Sequence, residues 1–186
     1  EALAGTDAID QAMAESLYVG IMTDTGNFSF SSLTSDLFRA VAVLIDKGVN
    51  VPYVNSSVYN NFSEGRMRLL GYMLNDKMVT DYEFGVAYVS LTEEEMRRFD
   101  FIQGDSEGFV NYPLSIRGIR MSAMFIQTKH SIRVSLRSRG EVDVNVFARR
   151  YFDGGGHRNA AGGKSYVPMN ETLENFGKYL REYFGA

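Results

Sequence analysis

The stretch Asp153-Gly154-Gly155-Gly156-His157-Arg158-Asn159-Ala160-Ala161-Gly162-Gly163 holds five of the chain's 18 glycines and one of its two histidines. Three consecutive glycines allow positive φ angles and let a ligand come close to the backbone. Amides freed in this way form an anion-binding concavity, or open a helix N-terminus toward phosphate. Histidine, as a residue type, adds a donor that becomes a cation under mildly acidic conditions. Two small alanines then let the turn pack tightly. These are the parts of a phosphate or nucleotide cradle, although three glycines alone are equally compatible with a plain turn.

Two other segments carry chemistry. In Tyr18-Val19-Gly20-Ile21-Met22-Thr23-Asp24-Thr25-Gly26-Asn27-Phe28, an acidic residue follows a buried apolar run and sits among hydroxyls and a glycine. Asp24 suits a hard divalent metal there, or it caps the following turn through an Asx bond. In Ser135-Leu136-Arg137-Ser138, arginine is the side chain best shaped for bidentate phosphate binding, with hydroxyls beside it. An ordinary arginine on a sheet surface is the alternative. His157 is open to three roles: metal ligand, general acid or phosphate contact. His130, between Lys129 and Ser131, reads as an exposed residue at a hairpin tip.

These residues need elements to position them. Asp7 is the expected N-cap of a helix over 7–19, with Ala8, Ile9, Ala12, Met13 and Ser16 on a small-residue face and Leu17–Met22 extending it. A second amphipathic helix runs from about Ser35 to Gly48, with Leu37, Phe38, Val41, Leu44 and Ile45 on one side. Residues 53–77 read as a helical connector. Met78–Leu91 reads as one or two strands around Gly85. Thr92-Glu93-Glu94-Glu95 is a capping box opening a short helix. After a loop at Gly104–Gly108 comes a short helix over Phe109–Ile116, interrupted at Pro113. Gly118–Thr128 and Ser131–Arg139 are the expected strands of a hairpin. In the second, Ile132, Val134 and Leu136 alternate with Arg133, Ser135 and Arg137, which makes one face polar and basic. A helix over Val142–Phe152, the glycine motif, a strand near Gly163–Val167 and a last helix capped by Asn170 and ending near Phe184 complete the order.

Composition sets the bounds. At 186 residues the chain is one large domain or two small ones, and 45% hydrophobic with 23% charged residues is ordinary for a globular protein. There is no cysteine, hence no disulfide and no thiolate metal site. The net charge of −4 argues against a generic polyanion binder, so a nucleic-acid ligand is expected to be short and held locally. Arg133, Arg137, Arg139, Arg149, Arg150, His157, Arg158 and Lys164 supply that local basic content, unless they are solvated surface charge. No apolar run suggests a membrane span and no leader peptide is seen, so a cytoplasmic location is expected. The start at Glu1-Ala2-Leu3 reads as an entry in mid-protein.

The string GGGHxxAAG at 154–162 resembles the signature of the DHH-associated domain, the C-terminal substrate-binding domain of DHH-family phosphoesterases. Gly20-Ile21-Met22-Thr23-Asp24-Thr25-Gly26-Asn27-Phe28 resembles the last acidic motif of the DHH catalytic domain, and Ser135–Ser138 resembles the family's arginine motif. The resemblance implies an α/β fold in three parts. These are the C-terminal end of a DHH catalytic domain (1–52), a helical connector (53–77) and a smaller substrate-binding domain with a mixed sheet (78–186). It implies that Asp24 binds a divalent metal, Mn2+ with Mg2+ as the alternative. It also implies that Arg137, Ser135, Ser138, His157 and the Gly154, Gly155 and Gly156 amides bind substrate. The order of motifs is most similar to the branch that degrades very short RNA oligonucleotides and dephosphorylates 3′-phosphoadenosine 5′-phosphate.

No Asp-His-His occurs in the sequence, and two-metal hydrolysis needs several ligands holding ions about 3.5–4 Å apart. The resemblance therefore implies a hydrolase of which this chain is the C-terminal part. The chain should be inactive alone, have no catalytic residue beyond the metal ligand, and have the N-terminal half of the catalytic domain as its partner. Without that half, apolar faces at residues 8–22 and 37–45 should be exposed and favour association, a homodimer included. Three alternatives stay open. They are a regulatory module for cyclic dinucleotides or other nucleotides, a polyphosphate or pyrophosphate hydrolase of the same family, and a structural oligomerisation domain.

Overall fold

Asp10 starts the first long helix by accepting the Met13 amide hydrogen at 2.8 Å. Helix α1 then runs Gln11–Asp24. The expected cap, Asp7, lies instead in a short 3-10 turn at Thr6–Ala8. The buried side of α1 is Ala14, Tyr18 and Met22, not the expected small-residue face. Tyrosine and methionine bury more apolar area per turn than alanine and serine, and the helix rotates to suit them. Helix α2, Ser35–Asp46, is capped by Thr34 and closes before Gly48 at φ +96°. Helix α3, Val51–Tyr59, has its proline in the first turn, where a missing amide hydrogen costs nothing. Val41, Leu44, Val49 and Val54 complete a core around Ala14, Tyr18 and Met22. Met13, Leu17, Phe38 and Ile45 remain about half exposed.

The computed structural model describes residues 6–29 and 33–185, so the opening Glu1-Ala2-Leu3 lies outside the described residues. The chain divides into two compact units between Phe62 and Ser63. The segment expected as one helical connector is therefore two helices in different units. Ser63 ends any continuity by accepting the Arg66 amide hydrogen at 3.0 Å, the N-cap of α4 at Glu64–Tyr72. A π-helical turn at Met73–Lys77 follows.

The second unit is built on a six-stranded mixed sheet. Its strands are β1 Val79–Asp81, β2 Val86–Leu91, β3 Met121–Gln127, β4 Ile132–Ser138, β5 Gly155–His157 and β6 Ala160–Ser165. Their order is β1-β2-β3-β4-β6-β5. Only β2 and β3 pair in parallel; their crossover contains α5, Glu93–Arg97, and a 3-10 helix at Phe109–Ser115 that holds Pro113. One face packs Val86, Met121, Ala123, Phe125, Val134, Leu136 and Ala161 against α6, Val144–Tyr151, and α7, Met169–Phe184. Phe125, Phe147, Phe152 and Phe176 meet there edge to face. The other face buries Val89, Leu91, Met124 and Ile126 under α4, α5 and the 3-10 helix. Strands β2 and β3 are thus covered on both sides, while β4 alternates. Helix α7 begins after Pro168 without a side-chain cap, so Asn170 is not the cap expected. Among the described residues no helix is long and apolar enough to cross a membrane.

The expected capping box is present at Thr92 and Glu95. Burial alone would raise the Glu95 carboxyl. Hydrogen bonds from Lys77 Nζ at 2.6 Å, the Thr92 amide at 2.8 Å and the Tyr72 hydroxyl at 2.7 Å outweigh it and hold the group at about 2. A carboxyl lowered in the folded state stabilises above its unfolded value, and that contribution is lost as pH falls through the folded one. Glu95→Gln should therefore cost about 1–2 kcal/mol at neutral pH in urea denaturation. The gap to wild type should shrink below pH 4.5 and close near pH 2. A gap independent of pH would show that the carboxylate charge is not what matters.

Candidate functional site

Strand β4 sends Ile132, Val134, Leu136 and Ser138 into the core and leaves Arg133, Ser135 and Arg137 on the opposite face. The next strand, β6, places Ala160 opposite Arg137 and Gly162 opposite Ser135. Strand β5 places His157 opposite Ala160 and Gly155 opposite Gly162. Ser122, Arg137, Ala160 and His157 therefore form one row across four adjacent strands. Arg137 and His157 stand two strand spacings apart, about 10 Å. Between them the sheet carries only a methyl group, and in the next row only hydrogens. The result is a shallow trough whose floor is nearly bare backbone.

The glycines serve this geometry differently from the free loop expected from three in succession. Only Gly156 of the three has a positive φ, at +152°. A Cβ at Gly154 would stand 2.0 Å from the Gly162 carbonyl oxygen, and one at Gly163 would stand 2.4 Å from that of Phe152. The motif is a strand pressed against its neighbours, with glycine required for close approach. The Gly156 amide donates to Asn145 Oδ1 at 2.9 Å, and the same oxygen accepts from Arg149 Nε at 3.1 Å. One of the three amides offered to a ligand is thus engaged by α6.

Arg137 is half-buried, and its Nη1 donates to the Leu136 carbonyl at 2.9 Å. Burial lowers its pKa from the ordinary arginine value while the nearby Glu107 carboxylate opposes the shift. The side chain remains a cation, partly stripped of water, which strengthens its attraction for an anion. A loop beside it forms a wall. Buried Arg66 of α4 donates to the carbonyls of Asp105 and Glu107, with its guanidinium 4.8 Å from the centre of the Phe109 ring. The strapped loop presents Ser106 Oγ to Arg133 at 3.0 Å. Arg66, Ser106, Glu107 and Asn145 carry no motif in sequence. They lie 11 to 41 positions from the groups they hold, so only the fold reveals them.

The remaining expected residues separate. Ser135 is partly exposed beside Arg137 on the trough face. Ser138 is buried; its hydroxyl donates to the Val142 carbonyl at 2.7 Å and accepts from Asn159 Nδ2 at 2.9 Å. Arg158 pairs with Glu141, and Arg150 with Glu182. His157 is exposed at the end of β5, and His130 is exposed between β3 and β4. Asp24 belongs to the first unit, at the exposed C-terminal end of α1. The turn after it is held by Thr25, whose hydroxyl accepts the Phe28 amide hydrogen at 3.1 Å, and not by an Asx bond. Among the described residues no three acidic, histidine or cysteine side chains gather into a metal site.

Two substitution pairs test this geometry. Gly154→Ala should cost about 2–3 kcal/mol through backbone overlap, whereas Gly155→Ala, with its nearest contact at 3.4 Å, should cost less than about 1 kcal/mol. Ser138→Ala should cost about 0.5–1.5 kcal/mol by removing the buried hydroxyl's bonds to Val142 and Asn159, with Ser135→Ala near neutral. Urea denaturation reads both, and equal effects within either pair would contradict the packing described.

The DHHA1 domain family matches residues 82–186. Among curated proteins, the bifunctional oligoribonuclease and PAP phosphatase NrnA of Bacillus subtilis (strain 168) is 31% identical over 156 residues, which are 82% of this chain and 47% of that protein. The protein of the same name from Thermus thermophilus is 30% identical over 171 residues, 91% of this chain and 50% of its own length. The chain thus spans about half the length of these relatives. A crystal structure of an exopolyphosphatase-related protein from Bacteroides fragilis superposes with a TM-score of 0.93 at 40% identity, covering 97% of this chain and 53% of that one. On the strength of the family match and the shared mixed-sheet fold, this chain belongs to the DHHA1 domain family of the DHH phosphoesterases.

Proposed function

We propose that this chain is the substrate-binding part of a metal-dependent phosphoesterase acting on very short RNA oligonucleotides, on 3′-phosphoadenosine 5′-phosphate, or on both. The observation that carries the proposal is the row Arg137–Ala160–His157, which sets a partly desolvated cation and a histidine across a bare backbone floor. Arg137 holds a substrate phosphate through paired N–H donors, and Ser135 and His157 add hydrogen bonds. Gly154 lets β5 lie close against β6, which brings His157 opposite Ala160. Ser138 acts one step back, fixing the turn that carries His157. The names of the two NrnA relatives support this choice of substrates.

In this proposal residues 1–52 belong to the catalytic domain, 53–77 to its connector and 78–186 to the substrate domain. Asp24 is one ligand of a divalent ion, Mn2+ or Mg2+, which would activate water and stabilise the leaving oxygen. The described residues do not themselves assemble a metal site, so no catalytic step is assigned to this chain. Its expected behaviour alone is binding without turnover.

Calorimetric titration with a 5′-phosphorylated diribonucleotide, with and without Mn2+, tests the proposal. Binding should not depend on metal, and Arg137→Ala should weaken it about 10- to 100-fold. Manganese-dependent turnover by this chain, abolished in Asp24→Ala, would overturn the assignment of catalysis elsewhere. A second substrate class, inorganic polyphosphate, is favoured by the 40% identity to the exopolyphosphatase-related protein. Affinity indifferent to the presence of a base would decide for it.

A further inference from the structure

Arg133 and Lys164 stand directly opposite each other on β4 and β6. Like charges at paired positions of an antiparallel sheet repel and destabilise it. Neither side chain has an ion-pair partner among the described residues, whereas Arg150 and Arg158 of the same unit have Glu182 and Glu141. Arg133 is oriented by its hydrogen bond to Ser106. The two cations lie on the trough face, four residues along β4 from Arg137, a distance of about 13 Å. Ser135 and Gly162 fill the interval without obstructing it.

We propose that Arg133 and Lys164 form a second phosphate subsite for a short RNA whose terminal phosphate lies at Arg137. A bound phosphate would relieve the repulsion across the strands. The inference rests on the phosphoesterase proposal for the terminal phosphate. It adds a reason for preferring an oligonucleotide to a mononucleotide.

The test compares this chain with its Arg133→Gln/Lys164→Gln variant, using a 5′-phosphorylated tetraribonucleotide and adenosine 5′-monophosphate at several salt concentrations. The variant should bind the tetranucleotide about tenfold more weakly. Its plot of log affinity against log salt should be shallower by about 0.7, since each phosphate contact on a single strand contributes about that much. Binding of the mononucleotide should not change. Arg133→Lys/Lys164→Arg should keep the wild-type slope, and thermal melts of all variants check folding. An unchanged tetranucleotide slope would overturn the second subsite, and so would an equal loss for both ligands. Arg137→Ala separates the two proposals. If it weakens both ligands while the double variant weakens neither, the terminal site stands and the second fails. If it weakens neither while the double variant shows the expected loss, the second site stands alone. Absence of binding by either ligand to wild type would overturn both.

Discussion

The close approach of three backbone segments is the constraint on which the second unit depends. Strand β5 lies so near β6, and Phe152 so near Gly163, that a Cβ at Gly154 or Gly163 would overlap a carbonyl oxygen. That approach lets β5 close the sheet edge with only three residues, and it sets His157 opposite Ala160. It also carries the backbone from α6 straight into the sheet, where the Lys164 amide hydrogen meets the Phe152 carbonyl at 2.6 Å. The motif contributes shape first. Its conformational freedom matters at Gly156, and the other glycines matter because they have no side chain.

Coverage of the sheet divides its chemistry. Strands β2 and β3 are sandwiched between layers and spend both faces on the core. The 3-10 helix of the layer it shares with α4 and α5 reaches β4, and beyond it Ala160, Gly162 and Lys164 of β6 stay at least partly exposed. Beside β4 runs the 104–108 loop, tied down by buried Arg66. A buried arginine is costly unless its donors are satisfied, and here the carbonyls of the loop take that part. The strap gives the trough a firm wall and brings Glu107 close enough to influence Arg137.

Such a surface can recognise an anion without transforming it. It offers cations at different depths, a floor without side chains and a histidine on the far side. Asp24 sits in the other unit, at an exposed helix end with no metal-binding companions among the described residues. The chain spans about half the length of its curated relatives.

The sequence sufficed for the α/β class, the order of most elements, the capping box at Thr92 and the polar face of β4. These follow from local periodicity and from hydrogen bonds that span three or four residues. It also marked Arg137 and His157 by motif. It could not tell that Ser135 lines the trough while Ser138, three positions on, is a buried staple. That difference comes from strand parity combined with the position of Asn159. Nor could it tell which side of α1 is buried, where the connector breaks, or that Asn145 takes the Gly156 amide. These emerge with tertiary packing, because each depends on surfaces from distant parts of the chain meeting. The pairing of Arg133 with Lys164 belongs with them, since register between strands 31 residues apart is set by packing of the whole sheet.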